Sequence, residues 1–593
     1  MNKNSPDYYD EIKQRFRKER DVRIEHRPEG RKQYTTDLAP ELDQYAIDPQ
    51  SEIGAARRPL NDRVEVLCIG GGFSALLAAV RLREKGVASI RIVERGADVG
   101  GTWYWNRYPG VACDVLSYDY LPLLDEMAYV PERRYSSGEE ILGHCQAIAR
   151  RFDLYDCALF STTVTATTWI DDRKVWKVET DRGDCIEAQF VICANGTMSQ
   201  PKIPNIPGIE AFKGHSFHTA RWDYGYTGTS LENLKDKRVG IIGTGASAVQ
   251  IVPELARSAR ELFVIQRTPS SIDVREEGPT DPEWAKSLKP GWQAKRREEA
   301  IALSELSWVE RMTRAQEDGV NAAVKAAQQS LDVAEFNKLS REERIKRQEA
   351  ANIDHMMSVH KRIDDVVRDR QTAEALKPWY MFMCKRPCIH NEYLPAFNAP
   401  NVHLIDTKGI GVNAIVPEGP VVDGQVLALD LLIYATGFDV QKTGTYNRIT
   451  GIAGLELSEK YKDGISTLFG IHSRGFPNLF IMGGLQASYQ FNITDMLQTQ
   501  GDHIAECIAF ARENGHGSIE PTADAEAMWV KKVIDNRGKT SWSEECTPGY
   551  YNFEGESNRR QDGNYNGTFR SYVDSMKEAQ SQMSDYFTFS NGQ

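Results

Sequence analysis

Two glycine-rich turns constrain the fold of this chain more than any other feature of its sequence. The first occupies residues 70–75 and follows an apolar run at 64–69, while the second occupies residues 243–248 and follows an apolar run at 239–242. Glycines in such a turn let the backbone approach a pyrophosphate held at the N-terminus of the following helix. The sequence therefore predicts two Rossmann-like dinucleotide-binding domains in an α/β fold.

One charged residue follows each turn at the same distance, and the two charges are opposite. Glu94 lies 24 residues after Gly70, and Arg267 lies 24 residues after Gly243. A carboxylate at the end of the second strand of such a unit accepts hydrogen bonds from ribose hydroxyls, whereas a guanidinium favours a 2′-phosphate. The first site is thus predicted to bind FAD or NAD, and the second is predicted to bind NADPH.

The residues of the two turns are the first candidates for contact with these nucleotides. Both turns carry alanine at the third small position, which this fingerprint permits. We predict that the first nucleotide is bound by Gly70, Gly72, Phe73, Ser74 and Glu94, and the second by Gly243, Gly245, Ala246, Ser247 and Arg267.

Composition narrows the remaining possibilities. The 593-residue chain carries a net charge of −12, which argues against a nucleic-acid partner because phosphates would be repelled. Its 10 cysteines show neither a short paired framework nor a Cys/His cluster at metal-ligand spacing, so we expect reduced thiols and no metal site. The polar start and the lack of a long uninterrupted apolar stretch predict a soluble cytoplasmic protein without a membrane segment.

Shifts in composition predict the domain organisation. Residues 1–60 form a charged N-terminal extension, and residues 61–200 form the first part of an FAD-binding domain. Residues 201–395 form the NADPH-binding domain, with a helical insertion at about 279–376. Residues 396–593 are predicted to complete the FAD-binding domain and to contribute a C-terminal loop region.

The apolar run at 426–438 is predicted to be a buried parallel strand that returns the chain to the first domain. The two Rossmann-like domains are then nested, since the second lies inside the first. This arrangement would place both nucleotides at one interdomain cleft.

A short motif near the start of the second domain resembles a known signature. Its spacing, FxGxxxHxxxW[P/D], is matched at every specified position by Phe212, Gly214, His218, Trp222 and Asp223. This motif resembles the signature of the type I Baeyer–Villiger monooxygenases. Related flavin monooxygenases that oxidise nitrogen or sulfur carry Tyr in place of the Trp. In the family the motif is thought to couple domain movement, and the alternative is a set of packed core side chains.

Further stretches extend the resemblance over most of the chain after the N-terminal extension. Residues 100–110 resemble a flavin-contacting loop, while residues 266–269 and 384–387 resemble NADPH-binding stretches. The region just before residues 546–552 resembles a loop that folds over the nicotinamide. The resemblance thus adds Gly101, Thr102, Trp103 and Tyr120 to the FAD site, and Thr268, Lys385 and Trp542 to the NADPH site.

The resemblance also implies a reaction and its catalytic residues. A member of this family uses NADPH, O2 and a C4a-peroxyflavin to convert a ketone into an ester or lactone. Arg386 is the implied catalytic cation, because a guanidinium stays protonated beside a negatively charged intermediate. Asp114 would hold Arg386 in place through a charge-assisted hydrogen bond. The N-terminal extension, together with residues 384–387 and 546–552, most resembles the subgroup that accepts bulky or macrocyclic ketones.

Two alternative functions and two oligomeric states remain open at this point, while a third function, that of a disulfide reductase, is disfavoured. A flavin monooxygenase acting on sulfur or nitrogen would use the same two-site architecture. A pyridine-nucleotide disulfide reductase would need a second cysteine close to Cys113, and the sequence has none there. A non-catalytic NADPH-sensing regulator would use the helical insertion as an interaction surface, but Lys385, Arg386 and Asp114 argue against it. A ketone and O2 are the expected partners, and the protein is predicted to be a monomer or a homodimer.

Overall fold

Two β-sheets, the first mixed and the second parallel, form the framework of the protein, and each has a glycine turn at one strand end. The computed structural model describes residues 7–26, 34–35, 40–45, 47–49, 57–198, 200–304, 338–440, 448–488, 492–537, 546–549 and 562–591. Within these ranges, no helix has both the length and the apolar character needed to cross a bilayer.

The first sheet is centred on the strand Asn61–Ile69, which leads into the first glycine turn. Its parallel neighbours are Ile90–Val93 on one side and Cys185–Cys193 on the other. The second half of the central strand is buried, as expected when both faces of a parallel sheet are covered. The order across the sheet is Ile449–Thr450, Val164–Ile170, Val175–Thr180, Cys185–Cys193, Asn61–Ile69, Ile90–Val93 and Ala158–Leu159, and Leu479–Ile481 also pairs with Cys185–Cys193.

The second sheet repeats this arrangement around the strand Arg238–Ile242. Its parallel neighbours are Glu261–Gln266 and Leu431–Tyr434. Val402–Asp406 and His215–His218 form the two edges, so all five strands run parallel. The predicted α/β fold with two Rossmann-like units is therefore confirmed.

One predicted strand lies in the other sheet. Leu431–Tyr434, within the apolar run at 426–438, pairs with Arg238–Ile242 of the second sheet. The expectation that the chain returns to the first domain at this strand is wrong, because a buried parallel strand has the same apolar pattern in either sheet. The second domain extends past its predicted end at residue 395, and the chain rejoins the first sheet at Ile449–Thr450.

Helices surround both sheets and occupy the insertion. The longest helix among the described residues, Arg341–Val366, begins with a capping box in which Ser340 and Glu343 exchange hydrogen bonds. It lies in the predicted helical insertion, of which residues 305–337 fall outside the described residues. The α-helices are Tyr8–Glu25, Phe73–Glu84, Thr102–Trp105, Ser117–Tyr120, Leu124–Met127, Gly138–Arg151, Tyr224–Thr227, Ala246–Ser258, Pro282–Ser287, Trp292–Ser304, Arg341–Val366, Arg370–Leu376, Tyr393–Ala396, Leu457–Lys460, Ile493–Glu513, Ala523–Arg537, Phe569–Ser581 and Met583–Tyr586. The short strands outside the two main sheets are Tyr34–Thr35, Ile203–Pro204, Ile272–Asp273, Cys388–Ile389, Ala414–Val416, Gly419–Val422, Gln425–Val426, His516–Pro521 and Phe587–Asn591.

The first helix of the N-terminal extension packs against the body of the protein. Tyr8, Ile12 and Phe16 recur every four residues along this helix, and all three are buried. They share an apolar cluster with Ile353 and Met356 of the longest helix. This part of the extension is therefore integrated into the folded structure.

Two cysteines form a disulfide, which corrects the expectation of reduced thiols throughout. Cys384 and Cys546 are bonded, and their Cα atoms lie 5.1 Å apart although 162 residues separate them in the sequence. Such a separation gives no signal in one sequence, because only the fold brings two Cα atoms within the reach of a disulfide. The other eight cysteines are free.

Three potential metal ligands also meet in the core, in an arrangement that their sequence spacing does not reveal. The Nε2 atoms of His472 and His503 lie 2.9 Å apart, and Cys507 Sγ lies 3.5 Å from His503 Nε2. Burial lowers the pKa of both histidines, that of His503 to about 3. Both rings are therefore neutral at physiological pH and hydrogen-bonded to each other, and the absence of a metal site stays a prediction.

The disulfide predicts a specific thiol count. Denatured without reductant, the protein should expose eight thiols to Ellman's reagent, and reduction should raise the count to the full 10. In the Cys384→Ser variant the reducing step should release no further thiol. Cys388→Ser is the matched control, since Cys388 is buried and free, and reduction of that variant should still release two. Finding all 10 thiols in the unreduced protein would contradict the assignment.

Candidate active site

The two glycine turns share one backbone geometry. Gly70 has a φ of +111° and Gly243 a φ of +114°. A Cβ atom at Gly70 would lie 2.6 Å from the carbonyl oxygen of Ala194, and one at Gly243 would lie 2.4 Å from that of Ala435. Only glycine is compatible with these turns, because other residues disfavour positive φ and their Cβ would overlap a carbonyl oxygen. Ala194 and Ala435 each directly follow the neighbouring parallel strand, so the two turns are equivalent parts of two units.

Each turn leads into a helix whose first N–H groups are suited to phosphate. Gly72 precedes Phe73–Glu84 with φ −83° and ψ −171°, and Gly245 precedes Ala246–Ser258 with φ −79° and ψ −170°. Neither helix start receives a side-chain cap within the described part of the chain. The free N–H groups and the positive end of the helix dipole therefore fit a pyrophosphate at both places. The predicted contacts in these first turns are Phe73, Ser74, Ala246 and Ser247.

Glu94 lies where the first unit requires an acceptor. Its side chain is buried, Oε2 accepts a hydrogen bond from the Gly71 N–H at 2.5 Å, and Oε1 accepts one from the Gly96 N–H at 2.6 Å. Burial raises the pKa of Glu94, while the two N–H donors act in the opposite direction. A carboxylate has about four acceptor positions, so two backbone donors leave capacity for ribose hydroxyls.

The other predicted FAD contacts are gathered around the first turn. A Cβ at Gly101 would lie 2.8 Å from Gly72 Cα, so the two backbones are in close contact. The helix Thr102–Trp105 starts there, and the Trp103 indole N–H donates to the Tyr120 hydroxyl at 2.9 Å. Phe73 packs edge-on against Tyr120, with 6.0 Å between ring centroids. The fold thus places residues from three segments beside the start of the helix Phe73–Glu84.

A basic cleft adjoins the second turn. Arg267, Thr268 and Lys385 all line this cleft. The hydroxyl of Thr244, within the turn, donates to the Thr268 carbonyl oxygen at 2.7 Å, so the cleft and the turn are connected. Trp542, the remaining predicted NADPH contact, lies outside the described residues. The described residues that line the cleft are Arg23, His26, Arg267, Thr268, Lys385, Gly409, Ile410, Thr547 and Pro548.

Arg386 and Asp114, 272 residues apart in the sequence, form an ion pair. Arg386 Nη2 donates to Asp114 Oδ2 at 2.9 Å. The side chain of Arg386 is 46% exposed and that of Asp114 is 16% exposed. The carboxylate is thus mostly enclosed, while nearly half of the Arg386 side chain is exposed.

Gln250 fixes the loop that carries Asp114, and sequence reasoning did not identify it. It lies on the helix after the second glycine turn and is buried. Its Nε2 donates to the Ala112 carbonyl oxygen at 2.9 Å, and its Oε1 accepts from the Tyr108 hydroxyl at 3.0 Å. One amide therefore attaches the Asp114 loop to the second domain. A buried glutamine inside an apolar helical pattern was the available signal.

His218 of the signature motif is a structural link. Its side chain is fully buried, Nδ1 accepts from the Ala220 N–H at 3.1 Å, and Nε2 lies 3.1 Å from the Gly437 carbonyl oxygen. Because Nδ1 is an acceptor, Nε2 carries the proton and donates to Gly437. Burial, reinforced by the positive charge of Arg221, lowers the pKa of His218 to about 3. The ring is therefore neutral and ties two segments of the second domain together.

The rest of the signature motif shapes the backbone around His218. A Cβ at Gly214 would lie 2.4 Å from Phe212 Cζ, so the aromatic ring lies directly over that glycine. Trp222 is buried, and its indole N–H donates to Thr227 at 3.2 Å. Asp223 caps the following short helix, since its Oδ1 accepts from the Tyr226 N–H at 3.1 Å. These contacts are structural.

Cys113, next to Asp114, is unsuited to redox chemistry. It is buried, and burial together with the charge of Asp114 raises the pKa of its thiol to about 12. A thiol at that pKa stays protonated and is a poor nucleophile. A disulfide reductase needs a pair of bonded cysteines beside its flavin. Here the disulfide joins Cys384 and Cys546, and Cys113 is a free thiol.

Comparison with known proteins relates this geometry to a family. The family model described as pyridine nucleotide-disulphide oxidoreductase matches residues 67–339. The chain is 42% identical over 569 residues to the Baeyer-Villiger monooxygenase ATR8 of Stachybotrys chlorohalonatus, covering 94% of this chain and 90% of that protein.

Solved structures give the same relationship. The chain resembles the polycyclic ketone monooxygenase of Thermothelomyces thermophila with a TM-score of 0.87 and 36% identity, covering 98% of this chain and 99% of that one. It resembles the OTEMO complex with FAD and NADP with a TM-score of 0.75 and 27% identity, covering 90% of this chain and 100% of that one.

The geometry of the second turn predicts the effect of one added methyl group. Gly243→Ala should lower the free energy of unfolding by about 1 kcal/mol or more, because alanine disfavours the φ of Gly243 and its Cβ overlaps Ala435. Calorimetry and titration with NADP+ would measure the loss of stability and of binding. Gly143→Ala is the control, since a Cβ added at this helical glycine would have no neighbouring atom within 4 Å and should increase stability. Equal effects of the two substitutions on stability and on NADP+ binding would contradict the assignment of the second glycine turn as a nucleotide site.

Proposed function

We propose, since the chain belongs to the Baeyer–Villiger monooxygenase family, that its active site is centred on Arg386 and Asp114. The protein is an FAD-containing, NADPH-dependent monooxygenase that acts on ketones. When bound, FAD activates O2 and NADPH supplies the reducing hydride. The reaction inserts an oxygen atom beside the carbonyl carbon of a ketone and yields an ester or lactone.

The observation that carries this assignment is the 2.9 Å ion pair between Arg386 and Asp114. Arg386 precedes the short strand Cys388–Ile389. That strand pairs with Ile272–Asp273, which follows the cleft residues Arg267 and Thr268 in the sequence. Asp114 follows residues 100–110, of which Gly101 lies against Gly72 of the first glycine turn. The pair therefore joins segments that lead to both nucleotide sites, where a reaction using both cofactors must occur.

Arg386 is suited to stabilise negative charge on oxygen. Its guanidinium remains protonated at any physiological pH and offers five donors in a planar fork. Negative charge develops on the carbonyl oxygen of the ketone when a nucleophilic oxygen adds to the carbonyl carbon. A well-placed donor at such an oxygen contributes about 3 kcal/mol to lowering the barrier.

Asp114 acts through Arg386. A charge-assisted hydrogen bond restricts the guanidinium to one orientation, which reduces the reorganisation needed during the reaction. Because the Asp114 loop is held by Gln250, the second domain also contributes to this orientation. Asp114 is thus proposed as a positioning residue for the catalytic cation.

The remaining site residues are proposed to hold the cofactors. FAD would be bound by the first turn, Glu94 and the aromatic group around Tyr120. NADPH would be bound by the second turn and by the basic cleft, with the 2′-phosphate at Arg267, Thr268 and Lys385. Trp542 is proposed to cover the nicotinamide, as the family resemblance implies.

Bulky or cyclic ketones are the proposed substrates. The similarity to a polycyclic ketone monooxygenase covers 98% of this chain, including the N-terminal extension that first indicated this subgroup. The proposed compartment is the cytoplasm, which supplies NADPH, and cell fractionation tests it. Activity with a panel from small-ring to polycyclic ketones, with a sulfide assayed alongside, tests the substrate class. Turnover of the sulfide but of no ketone would overturn it.

Arg386→Ala should separate cofactor reduction from product formation. We expect normal FAD content and normal reduction by NADPH, but a fall in ester formation of more than about 100-fold, because the donor at the developing oxyanion is lost. Stopped-flow reduction and product chromatography measure the two steps. The matched control is Arg173→Ala, which removes an arginine of similar exposure, 48%, that is ion-paired with Glu187. Normal ester formation by Arg386→Ala would exclude the residue from the mechanism.

Arg267→Ala should weaken NADPH binding much more than NADH binding. We expect the preference for NADPH to fall by about tenfold or more, since one charged hydrogen bond to the 2′-phosphate is lost. Arg257→Ala, which removes an exposed arginine paired with Glu254 and Glu392 in the same domain, should leave the preference unchanged. An equal loss for both nucleotides would mean that the 2′-phosphate is bound elsewhere.

A further inference from the structure

The basic cleft beside Arg267 is completed by the N-terminal extension. Arg23 and His26, at the end of the first helix, line it together with Arg267 and Lys385. These four side chains come from three distant parts of the chain, and three of them are permanently charged at neutral pH. No carboxylate is among the described residues that line the cleft. An anion would offset the mutual repulsion of these cations.

Arg23 is held in the cleft by the packing of its helix. The apolar positions Ile12 and Phe16 recur at helical spacing, and Arg23 lies seven residues beyond Phe16, on the same face. That face is buried against the body of the protein, so the Arg23 side chain is only 7% exposed. The helix thus delivers a guanidinium inward.

Glycine at position 409 makes room for Arg23. Gly409 has a φ of +93°, and a Cβ there would lie 3.0 Å from Arg23 Cγ. A larger residue would press against the aliphatic stem of the arginine. The local backbone is therefore compatible with the buried position of Arg23.

The partners of Arg23 within the protein compensate its charge only in part. Nη2 lies 3.6 Å from Glu19 Oε2, longer than the roughly 2.7–2.9 Å of a strong charge-assisted hydrogen bond. Nη1 donates to the Thr547 hydroxyl at 3.5 Å. Burial lowers the pKa of Arg23 and the positive charge of Arg267 acts in the same direction, whereas the negative charges of Glu19 and Asp406 raise it. Burying a cation beside another cation is costly, and an anionic ligand would recover part of that cost.

A second segment of the extension contacts Arg267 directly. Tyr34–Thr35 pairs antiparallel with Ile203–Pro204, which fixes Tyr34 beside the cleft residue. Arg267 Nη2 donates to the Tyr34 hydroxyl at 3.0 Å. Lys202 lies over the Tyr34 ring at 5.1 Å from its centroid. The extension therefore orients Arg267 through Tyr34 and contributes a further cation, Arg23, to the cleft.

We propose that the N-terminal extension forms part of the NADPH site, with Arg23 binding the 2′-phosphate together with Arg267 and Lys385, and Tyr34 positioning Arg267. This inference rests on the proposed role of Arg267 at the same phosphate. A phosphate monoester carries close to two negative charges at neutral pH and has three acceptor oxygens, so several cations can bind it together. NADH lacks this group and would gain nothing from Arg23.

The test compares binding of 2′,5′-ADP and 5′-ADP to the full-length, FAD-loaded protein by calorimetric titration. In Arg23→Met, which keeps an apolar stem in the buried position, affinity for 2′,5′-ADP should fall by about tenfold or more. Affinity for 5′-ADP should change less than about twofold, which is the usual size of the effect of a substitution that removes no specific interaction. Arg23→Lys, which keeps the charge, should retain more of the preference for 2′,5′-ADP over 5′-ADP than Arg23→Met does. Equal changes for both ligands, or no change, would overturn the inference.

Arg15→Ala is the matched control for the helix itself. Arg15 also pairs with Glu19, at 3.2 Å, and stacks on Trp379, but it does not line the cleft. The Arg15→Ala variant should leave the ratio of the affinities for 2′,5′-ADP and 5′-ADP unchanged. If it lowers that ratio as much as Arg23→Met does, the effect of Arg23 is one of helix docking, and the inference fails.

Arg267→Ala separates this inference from the proposal on which it rests. If Arg267→Ala leaves the preference for 2′,5′-ADP intact, the phosphate site itself is misplaced and both ideas fail. If Arg267→Ala abolishes the preference and Arg23→Met does not, only the role of the extension is excluded. Tyr34→Phe should reduce the preference for 2′,5′-ADP less than Arg267→Ala or Arg23→Met does, because it removes only one hydroxyl that orients Arg267.

Discussion

The ion pair between Arg386 and Asp114 is the contact on which the proposed chemistry depends. Its partners come from different domains, so the pair exists only when the two nucleotide-binding units are correctly arranged. A guanidinium alone on a surface would be hydrated and mobile. Held at 2.9 Å by a largely enclosed carboxylate, it presents a fixed positive charge at the proposed site of the oxygen chemistry.

Several contacts maintain that arrangement from a distance. Gln250, on the helix that begins at the second glycine turn, holds the loop of Asp114 through the Ala112 carbonyl. His218 of the signature motif ties its strand to Gly437 and stays neutral because it is buried. The contacts of His218, Trp222 and Asp223 in this signature are thus hydrogen bonds and packing that shape the second domain.

The basic cleft is assembled from still more distant parts of the chain. The disulfide between Cys384 and Cys546 joins residues that directly precede Lys385 and Thr547, two members of the cleft lining. The N-terminal helix packs on the same cysteines and carries Arg23 into the cleft. A segment outside both Rossmann-like units thus contributes charge to a site that one of them defines. This gives the extension a physical role in cofactor binding in addition to its packing role.

The sequence by itself determined the two dinucleotide-binding units, the charge that follows each one, and the family. These features depend on residues close together in the chain, such as the glycines that must adopt positive φ beside a neighbouring carbonyl. It could not assign Leu431–Tyr434 to a sheet, since a buried parallel strand is apolar in either one. It also gave no sign of the disulfide, of the loop that Gln250 holds or of the burial of Arg23 in the cleft. Those were decided by the tertiary structure alone, because they depend on which surfaces pack together across more than a hundred residues of chain, and no local pattern records that.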